Sequence, residues 1–154
     1  MDKESKFLVF TLEGHRFGLA LAEVVRVYPA VALAELEAGP EILLGLFKVA
    51  GNNIPVLDLR LRLRLPSREV VPDDALVVAS SPEGEIAFFV DAVVGVYTFA
   101  DEELRASGSI YPEMAAYVTW VGELEGHTVW IYTLERLFAE QDFAALIEVA
   151  TSPK

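Results

Sequence analysis

Residues 40–59 read PEILLGLFKVAGNNIPVLDL and contain two β-strand patterns around a turn. Leu43–Val49 and residues 54–57 are rich in aliphatic and aromatic side chains, and the run Gly51-Asn52-Asn53 between them consists of residue types that tolerate positive φ. Pro55 has no amide donor, so we expect its strand to start there or to lie at a sheet edge. The stretch therefore predicts a β-hairpin.

The same chemistry predicts strands on both sides of this hairpin, which makes the chain mainly β and favours small barrels. The further strands are residues 7–13, 16–20, 24–28, 75–79, 86–90, 94–99, 117–124 and 128–132. Gly95 and Gly122 fall inside apolar segments, where glycine predicts a bulge. Short helical turns are expected at residues 21–23 and 101–103. Leu134, Leu137 and Phe138 begin a C-terminal helix that resumes after Asp142 with Phe143, Leu146, Ile147 and Ala150.

Basic residues are concentrated just after the hairpin. Residues 59–65 alternate as LRLRLRL, a period of two that favours a strand. Residues 48–69 hold five basic residues and two acidic ones; the basic ones are Lys48, Arg60, Arg62, Arg64 and Arg68. This pattern predicts a locally positive strip, which either meets a partner or is a solvated face.

The bulk composition excludes several classes of function. The net charge of −12 repels nucleic acid, and the absence of cysteine excludes disulfides and thiolate catalysis. No signal peptide is recognisable at the start of the sequence, and the longest near-apolar stretch, residues 86–100, is interrupted by Asp91 and too short to span a bilayer. We expect a cytoplasmic protein without direct membrane insertion. Its 53% hydrophobic content predicts either apolar contact patches or a dense β core.

Few side chains are suited to catalysis. His15 and His127 each follow a Glu-Gly turn and are candidate ligands in a metal-binding barrel, but no third ligand stands at a recognisable spacing, which favours solvent-facing turn residues. Asp58 and Asp91 each close an apolar strand. Either is conceivable as a general acid, and capping of the following turn is favoured. We therefore expect no enzyme activity, no cofactor and no metal, and a protein that works by binding.

Four segments resemble, in order, the CheW family of chemotaxis adaptors. Residues 10–27 are similar to its opening hairpin and "V-x-E-V/I" turn, and residues 40–59 to "P-x-x-x-x-G-x-x-N-x-R-G-x-x-x-P-V-x-D-L". Residues 89–96 resemble "V-D-x-V-x-x-V", and residues 122–138 the closing segment. The resemblance implies two intertwined five-stranded SH3-like barrels that share an apolar seam, with short helices and a C-terminal helix, in one domain over residues 5–150. It also implies a helical turn, not a strand, after the "D-L" pair. We place the meeting of the two halves near residues 66–75.

The resemblance further implies a non-enzymatic adaptor that couples methyl-accepting chemoreceptors to a CheA-type histidine kinase in bacterial chemotaxis. On this basis the receptor-side residues are Val25, Arg26, Ala50, Asn52 and Asn53. The kinase-side residues are Leu44, Gly45 and Phe47. Positions that serve the motif's structure are Gly51, Pro55, Asp58 and Asp91.

Three positions depart from the family pattern. Lys48 and Ala50 stand where the family usually has Asn and Arg, and Arg26 stands where an acidic residue is common. Alanine cannot replace the five-donor fork of arginine. An alternative function is therefore a CheW-like scaffold for another kinase pathway, such as one controlling surface motility or development. A small ligand- or metal-binding barrel is the third candidate.

Overall fold

The computed structural model describes residues 4–34, 41–106 and 118–137. These residues are mainly in β-strands, as the sequence predicts. The strands are β1 (Glu4–Leu12), β2 (His15–Ala20), β3 (Val24–Pro29), β4 (Leu43–Val49), β5 (Asn52–Leu57), β6 (Ala75–Ser81), β7 (Gly84–Val90), β8 (Ala92–Ala100), β9 (Arg105–Ala106), β10 (Val118–Leu124) and β11 (His127–Tyr132). The helices are α1 (Leu59–Arg62) and α2 (Leu134–Leu137), with 3₁₀ turns at Leu21–Glu23 and Asp101–Glu103. The predicted C-terminal helix beyond residue 137 lies outside the described residues.

The β4–β5 hairpin has a two-residue turn. Ala50 and Gly51 have φ of 51° and 81°, and Val49 pairs with Asn52, which is the geometry of a type I′ turn. The predicted turn was therefore one residue too late, because Asn52 and Asn53 already belong to β5. The hairpins at residues 13–14 and 125–126 repeat the same backbone conformation with a Glu-Gly pair.

The strands form two sheets, and the chain visits one of them twice. The terminal sheet has the order β8-β1-β2-β11-β10-β9, and the middle sheet has the order β3-β6-β7-β5-β4. The terminal sheet has six strands instead of the expected five, because the two-residue β9 pairs with β10. The chain passes between the sheets at Leu21–Glu23 and at Asp91. Residues 66–75, where we expected the halves to meet, instead connect α1 to β6 beside the middle sheet.

Both sheets curl so that their end strands approach each other. In the middle sheet, Ala34 and Leu46 exchange backbone hydrogen bonds of 2.8 and 3.0 Å. The rings of Tyr28 and Phe47 also meet edge-to-face there, with centroids 4.9 Å apart. In the terminal sheet, a Cβ added to Gly122 of β10 would lie 3.0 Å from the Phe99 ring of β8. These contacts give each sheet the curvature of a small barrel.

The two glycines expected at bulges have different roles. Gly95 has φ of 151° and lies opposite Val9 beside a register shift between β1 and β8, which confirms the bulge there. Gly122 pairs in register with Val129, so the bulge prediction was wrong at this position. Its lack of a side chain instead admits the neighbouring Phe99 ring.

An apolar seam joins the two sheets. Phe10 of the terminal sheet packs against Phe88 of the middle sheet, with ring centroids 5.8 Å apart. Phe17 packs against Tyr132 at 5.3 Å in the same cluster, which also contains Leu57 and other buried side chains from both sheets. Burying each such side chain is worth about 1.5–3 kcal/mol, so the seam fixes the sheets against each other.

The predicted strand at residues 59–65 is wrong, and the helical turn implied by the family pattern is right. Asp58 caps α1, because its side chain accepts a hydrogen bond of 3.1 Å from the Leu61 amide. Leu59 is buried, whereas Leu61 is exposed. The alternation therefore reflects a short capped helix followed by a turn rather than two faces of a sheet.

Pro55 lies inside β5 rather than at its start. The strand begins at Asn52 and is flanked by β7 and β4 in the strand order. Pairing with β7, however, involves only Val56 and Leu57, so Pro55 pairs with β4 alone, through Leu46. At Pro55 the β7 side of the strand has no paired neighbour within the described part of the chain, so this residue lies at a local sheet edge. A residue without an amide donor is tolerated at such a position.

Candidate functional site

The predicted receptor-side residues lie on two exposed parts of the middle sheet. Ala50, Asn52 and Asn53 are exposed at and beside the tip of the β4–β5 hairpin. Val25 and Arg26 are exposed on β3, where Val25 is the extra residue of a register shift against β6. We call these five residues the tip surface. One part of this surface lies on β3 and the other at the β4–β5 hairpin. β3 and β4 are the two end strands of the middle sheet, and Tyr28 of β3 packs on Phe47 of β4.

The structure separates the three predicted kinase-side residues. Leu44 is 44% exposed, whereas Gly45 is buried and Phe47 is only 8% exposed. Phe47 packs against Tyr28 in the interior of the middle sheet. A Cβ on Gly45 would lie 2.8 Å from the Ala34 carbonyl oxygen, so glycine is needed there for the bridge to form. Gly45 and Phe47 therefore serve the fold, and Leu44 is the accessible member of the group.

Leu44 lines a groove of about 490 Å³ beside the middle sheet. The apolar part of the groove consists of Leu33, Leu44, Leu57, Leu59, Val70 and Phe89, and the polar part of Asp58, Arg60, Arg68, Glu69, Asp74 and Asp91. An open groove with an apolar wall and a charged rim resembles the composition of transient protein contact sites.

Five charged side chains form an ionic cluster at the polar end of the groove. Arg60 contacts Glu13 and donates to Asp91 at 2.5 Å. Arg68 donates to both oxygens of Asp74, at 2.9 and 2.8 Å, and to Asp91 at 2.5 Å. Glu13 belongs to the β1–β2 turn, Arg60 to α1, and Asp91 to the junction of β7 and β8. The cluster therefore ties the terminal sheet, α1 and residues 66–74 together.

These contacts keep the carboxyl groups of Asp74 and Asp91 ionised. Hydrogen bonds from Arg68 lower the pKa of Asp74 against the opposing effect of burial. Burial acts to raise the pKa of Asp91, but the Glu13 amide and the guanidinium groups of Arg60 and Arg68 outweigh it and hold the pKa below its ordinary value. A carboxylate ionised at neutral pH has no proton to give, so Asp91 is not suited to general-acid chemistry. The capping role expected for Asp91 was also wrong, because this side chain binds two arginines and the Glu13 amide.

The predicted positive strip is not continuous. Arg60 is buried in the ionic cluster, and Arg68 is paired with two aspartates. Lys48 and Arg64 are exposed. At least two of the five basic residues of the strip are therefore neutralised within the fold.

The histidines are exposed beside the tight turns of their hairpins, as expected. Among residues 4–34, 41–106 and 118–137, no three His, Asp or Glu side chains come together in a way that could hold a metal ion. Within the same ranges, no helix is both long and apolar enough to cross a bilayer.

Glu23 is a structural residue that sequence reasoning missed. It accepts a hydrogen bond from the Leu134 amide at the start of α2, so it links the first passage between the sheets to the end of the terminal sheet. Burial raises the pKa of Glu23, and the nearby Glu135 adds to this effect, while the Leu134 amide opposes it. The family's "V-x-E-V/I" pattern pointed to Glu23 as a residue with a role. It could not reveal the partner, because Leu134 is more than a hundred residues away in the sequence.

Comparisons with known proteins agree with this architecture. Residues 6–142 match the family model of the CheW-like domain. The chemotaxis protein CheW of Bacillus subtilis is 22% identical over 102 residues, which are 66% of this chain and 65% of that protein. The probable chemotaxis protein CheW of Rhizobium etli is 20% identical over 143 residues, 92% of each chain.

A solved structure shows the same fold. The scaffolding protein TtCheW from Thermoanaerobacter tengcongensis aligns with a TM-score of 0.80 at 23% identity, over 90% of this chain and 94% of that chain. This likeness confirms the predicted fold class of a mainly β protein with two small barrel subdomains. Because the family model also spans most of the sequence, the chain belongs to the family of CheW-like domains.

Proposed function

We propose that this protein is a non-enzymatic cytoplasmic adaptor that couples chemoreceptors to a CheA-type histidine kinase in bacterial chemotaxis. The observation that carries the proposal is that the middle sheet exposes two separate surfaces, the groove at Leu44 and the tip surface. A scaffold needs two such surfaces on one rigid body. Four of the six charged side chains at the groove are engaged in ion pairs, which suits a structural role better than a reactive one; they are Arg60, Arg68, Asp74 and Asp91.

The groove is the proposed kinase-side surface. Leu44 is exposed and stands with Leu33, Val70 and Phe89 along the apolar wall. An apolar side chain of the partner that fills such a groove would act as an anchor, and polar contacts around it would exclude water. A contact of ordinary size buries roughly 1,200–2,000 Å² in total, of which this groove would be the centre.

The tip surface is the proposed receptor side. Its side chains are small or uncharged, apart from Arg26. Ala50 projects from a turn whose backbone is fixed by the type I′ geometry, so its position is set by the hairpin and not by its own contacts. Of the three departures, Arg26 adds positive charge on β3, Lys48 adds it on β4, and Ala50 removes it from the turn; we propose that the matching receptor differs from usual receptors at the facing positions.

The two assignments are tested by reciprocal substitutions. Leu44→Ala should weaken binding to the regulatory domain of the CheA-type kinase from the same genome by roughly ten-fold, which corresponds to about 1.4 kcal/mol for an anchoring leucine. It should leave binding to a chemoreceptor tip fragment unchanged. Val25→Ala should show the opposite selectivity. Isothermal titration with each purified partner measures both.

Val96→Ala is the matched control, because Val96 is an exposed valine on β8 of the terminal sheet, away from both surfaces. It should change neither affinity. If the unmodified chain binds neither the kinase domain nor the receptor tip, the proposed function is wrong. If Leu44→Ala and Val25→Ala weaken both partners equally, the assignment of two separate surfaces is wrong.

A second candidate is a CheW-like scaffold for a kinase outside chemotaxis. The exposed Lys48, Ala50 and Arg26 favour it, because they change the surface that a partner reads while the hairpin itself is intact. Titration of the chain with every CheA-type kinase regulatory domain from its genome distinguishes the two candidates. Preference for a kinase encoded beside chemoreceptor genes supports the first candidate, and preference for one encoded apart from them supports the second.

A further inference from the structure

We infer that Arg68 is a positioning residue for the kinase-side surface: it holds residues 66–74, which we call the strap, in place as one wall of the groove. The inference rests on the proposed function for the identity of the partner. Its structural part stands on the contacts of the strap alone.

Apolar burial does not hold the strap. Residues 66–73 are all exposed, and Val70 and Val71 each remain 43% exposed. The strap nevertheless supplies Arg68, Glu69 and Val70 to the lining of the groove. A segment with this little hydrophobic anchoring needs polar contacts to keep a single conformation.

Arg60 holds the first residue of the strap by donating to the Pro66 carbonyl at 3.1 Å, and the polar contacts of the rest of the strap converge on Arg68. Its guanidinium forms a bidentate pair of hydrogen bonds with the Asp74 carboxylate, at 2.9 and 2.8 Å, and donates to the Glu69 carbonyl at 2.8 Å. Asp74, whose side chain is 4% exposed, accepts the Val71 amide at 3.0 Å, so the far end of the strap folds around the same ion pair. Paired guanidinium–carboxylate hydrogen bonds fix direction as well as distance.

Asp91 connects the strap to the body of the protein. It accepts from Arg68 at 2.5 Å, and it is itself held by Arg60 and by the Glu13 amide. Its own amide donates to the Thr11 carbonyl at 2.9 Å. Removing the Arg68 side chain therefore leaves Asp91 attached to both sheets and Pro66 bound to Arg60, while residues 67–74 of the strap lose their direct contact with Asp91. The expected effect is local loosening of the strap and not separation of the sheets.

A loosened strap lowers affinity for a partner that uses the groove. The partner must then order the segment on binding, which costs free energy for each side chain that it immobilises. We expect Arg68→Ala to lower the affinity for the kinase regulatory domain about ten-fold. Arg68→Lys keeps the charge but not the forked geometry, so its affinity and strap dynamics should lie between those of the unmodified chain and Arg68→Ala.

The test combines amide hydrogen exchange of the full chain with isothermal titration of the kinase regulatory domain. In Arg68→Ala, the amides of Val71 and Asp74 should exchange at least ten-fold faster, while the amides of β6 and β7 and the melting temperature stay close to those of the unmodified chain. Arg64→Ala is the matched control, because it removes an exposed arginine shortly before the strap. It should change neither the exchange nor the affinity.

The outcomes separate this inference from the proposed function. Unchanged exchange in Arg68→Ala overturns the inference, and so does faster exchange with unchanged affinity, while the proposed function stands. General acceleration of exchange across both sheets also overturns it, because Arg68 would then hold the whole fold. If the unmodified chain does not bind the kinase domain, the proposed function is wrong. The part of this inference that names the kinase domain as the partner is then wrong as well.

Discussion

Gly45→Ala is the substitution that most directly tests how the middle sheet closes. The added Cβ would lie 2.8 Å from the Ala34 carbonyl oxygen and 3.1 Å from the Leu33 Cβ. Both contacts involve atoms near the backbone, which have little room to move. The Ala34 oxygen also accepts the Leu46 amide at 3.0 Å, and the Leu46 oxygen accepts the Ala34 amide at 2.8 Å. The substitution is therefore expected to disrupt the two backbone hydrogen bonds between Ala34 and Leu46, which join the two ends of the middle sheet.

The magnitude follows from the contacts that are lost. Two backbone hydrogen bonds contribute about 0.5–1.5 kcal/mol each, and overpacking adds about 1–3 kcal/mol. Replacing glycine by alanine recovers roughly 0.4–1 kcal/mol, because the unfolded chain becomes less flexible. We expect the free energy of unfolding to fall by about 2–4 kcal/mol, a large part of the 5–15 kcal/mol typical of a domain.

Gly18→Ala is the matched control. Its Cβ would meet only side-chain atoms, Ile131 Cγ1 at 3.3 Å and Val129 Cγ1 at 3.4 Å, which can shift by a few tenths of an ångström. We expect it to cost about 1 kcal/mol or less, because a rotation of these side chains relieves the contact. Urea unfolding followed by tryptophan fluorescence measures both variants. The reasoning is refuted if Gly45→Ala unfolds within 0.5 kcal/mol of the unmodified chain, or if Gly18→Ala costs more than Gly45→Ala.

Three further predictions concern stability. Ala50→Asn should raise the free energy of unfolding by about 0.5–1 kcal/mol, because asparagine tolerates the positive φ of the turn before Gly51 better than alanine does; a lower urea midpoint would contradict this. Asp74 and Asp91 have lowered pKa values, so the stability that they contribute is complete above the ordinary value of 3.8 and is lost as the pH falls through the folded-state values. Urea midpoints should therefore decline below about pH 4, and less steeply in Asp91→Asn; equal slopes would count against the ionic cluster. Tyr132→Phe should raise the melting temperature, with a gain of up to about 1 kcal/mol, because the buried hydroxyl has no hydrogen-bond partner among the described residues; a clear decrease would indicate a partner such as an ordered water.

Local patterns predicted the strands well because each of them is determined by nearby residues. The alternation of side chains and the glycines at the turns placed the β4–β5 hairpin to within one residue at its turn. The strand predicted from the LRLRLRL alternation was wrong for a local reason too. Asp58 caps a short helix there, and this cap favours the helix although the alternation is typical of a strand. The strand order could not be read from the sequence in this way, because β2 pairs in parallel with β11, more than a hundred residues later. The family resemblance implied two intertwined barrels, but it did not give this strand order.

The candidate site was predictable only in part. Of the three predicted kinase-side residues, Leu44 is exposed and stays a prediction, whereas Gly45 and Phe47 are buried, because apolar residues in a motif look the same whether they face a partner or the core. The ionic cluster was missed entirely. Its members are separated by up to 78 residues, and a charged residue in a sequence carries no sign of which opposite charge it will meet.

The positions at which the sequence departs from its family show how fold and partner choice are divided between residues. Gly51, Asp58 and Asp91 keep the family pattern, and each is fixed by the fold: Gly51 by its positive φ, Asp58 by the helix cap and Asp91 by two arginines. Ala50 replaces the usual arginine on an exposed turn, where the backbone conformation, and not the side chain, maintains the hairpin. Where the fold does not depend on a side chain, that residue can be substituted as the binding partner changes. If the tip surface binds a receptor as proposed, its departures are expected to alter which receptor is bound, while the stability of the domain stays almost unaffected.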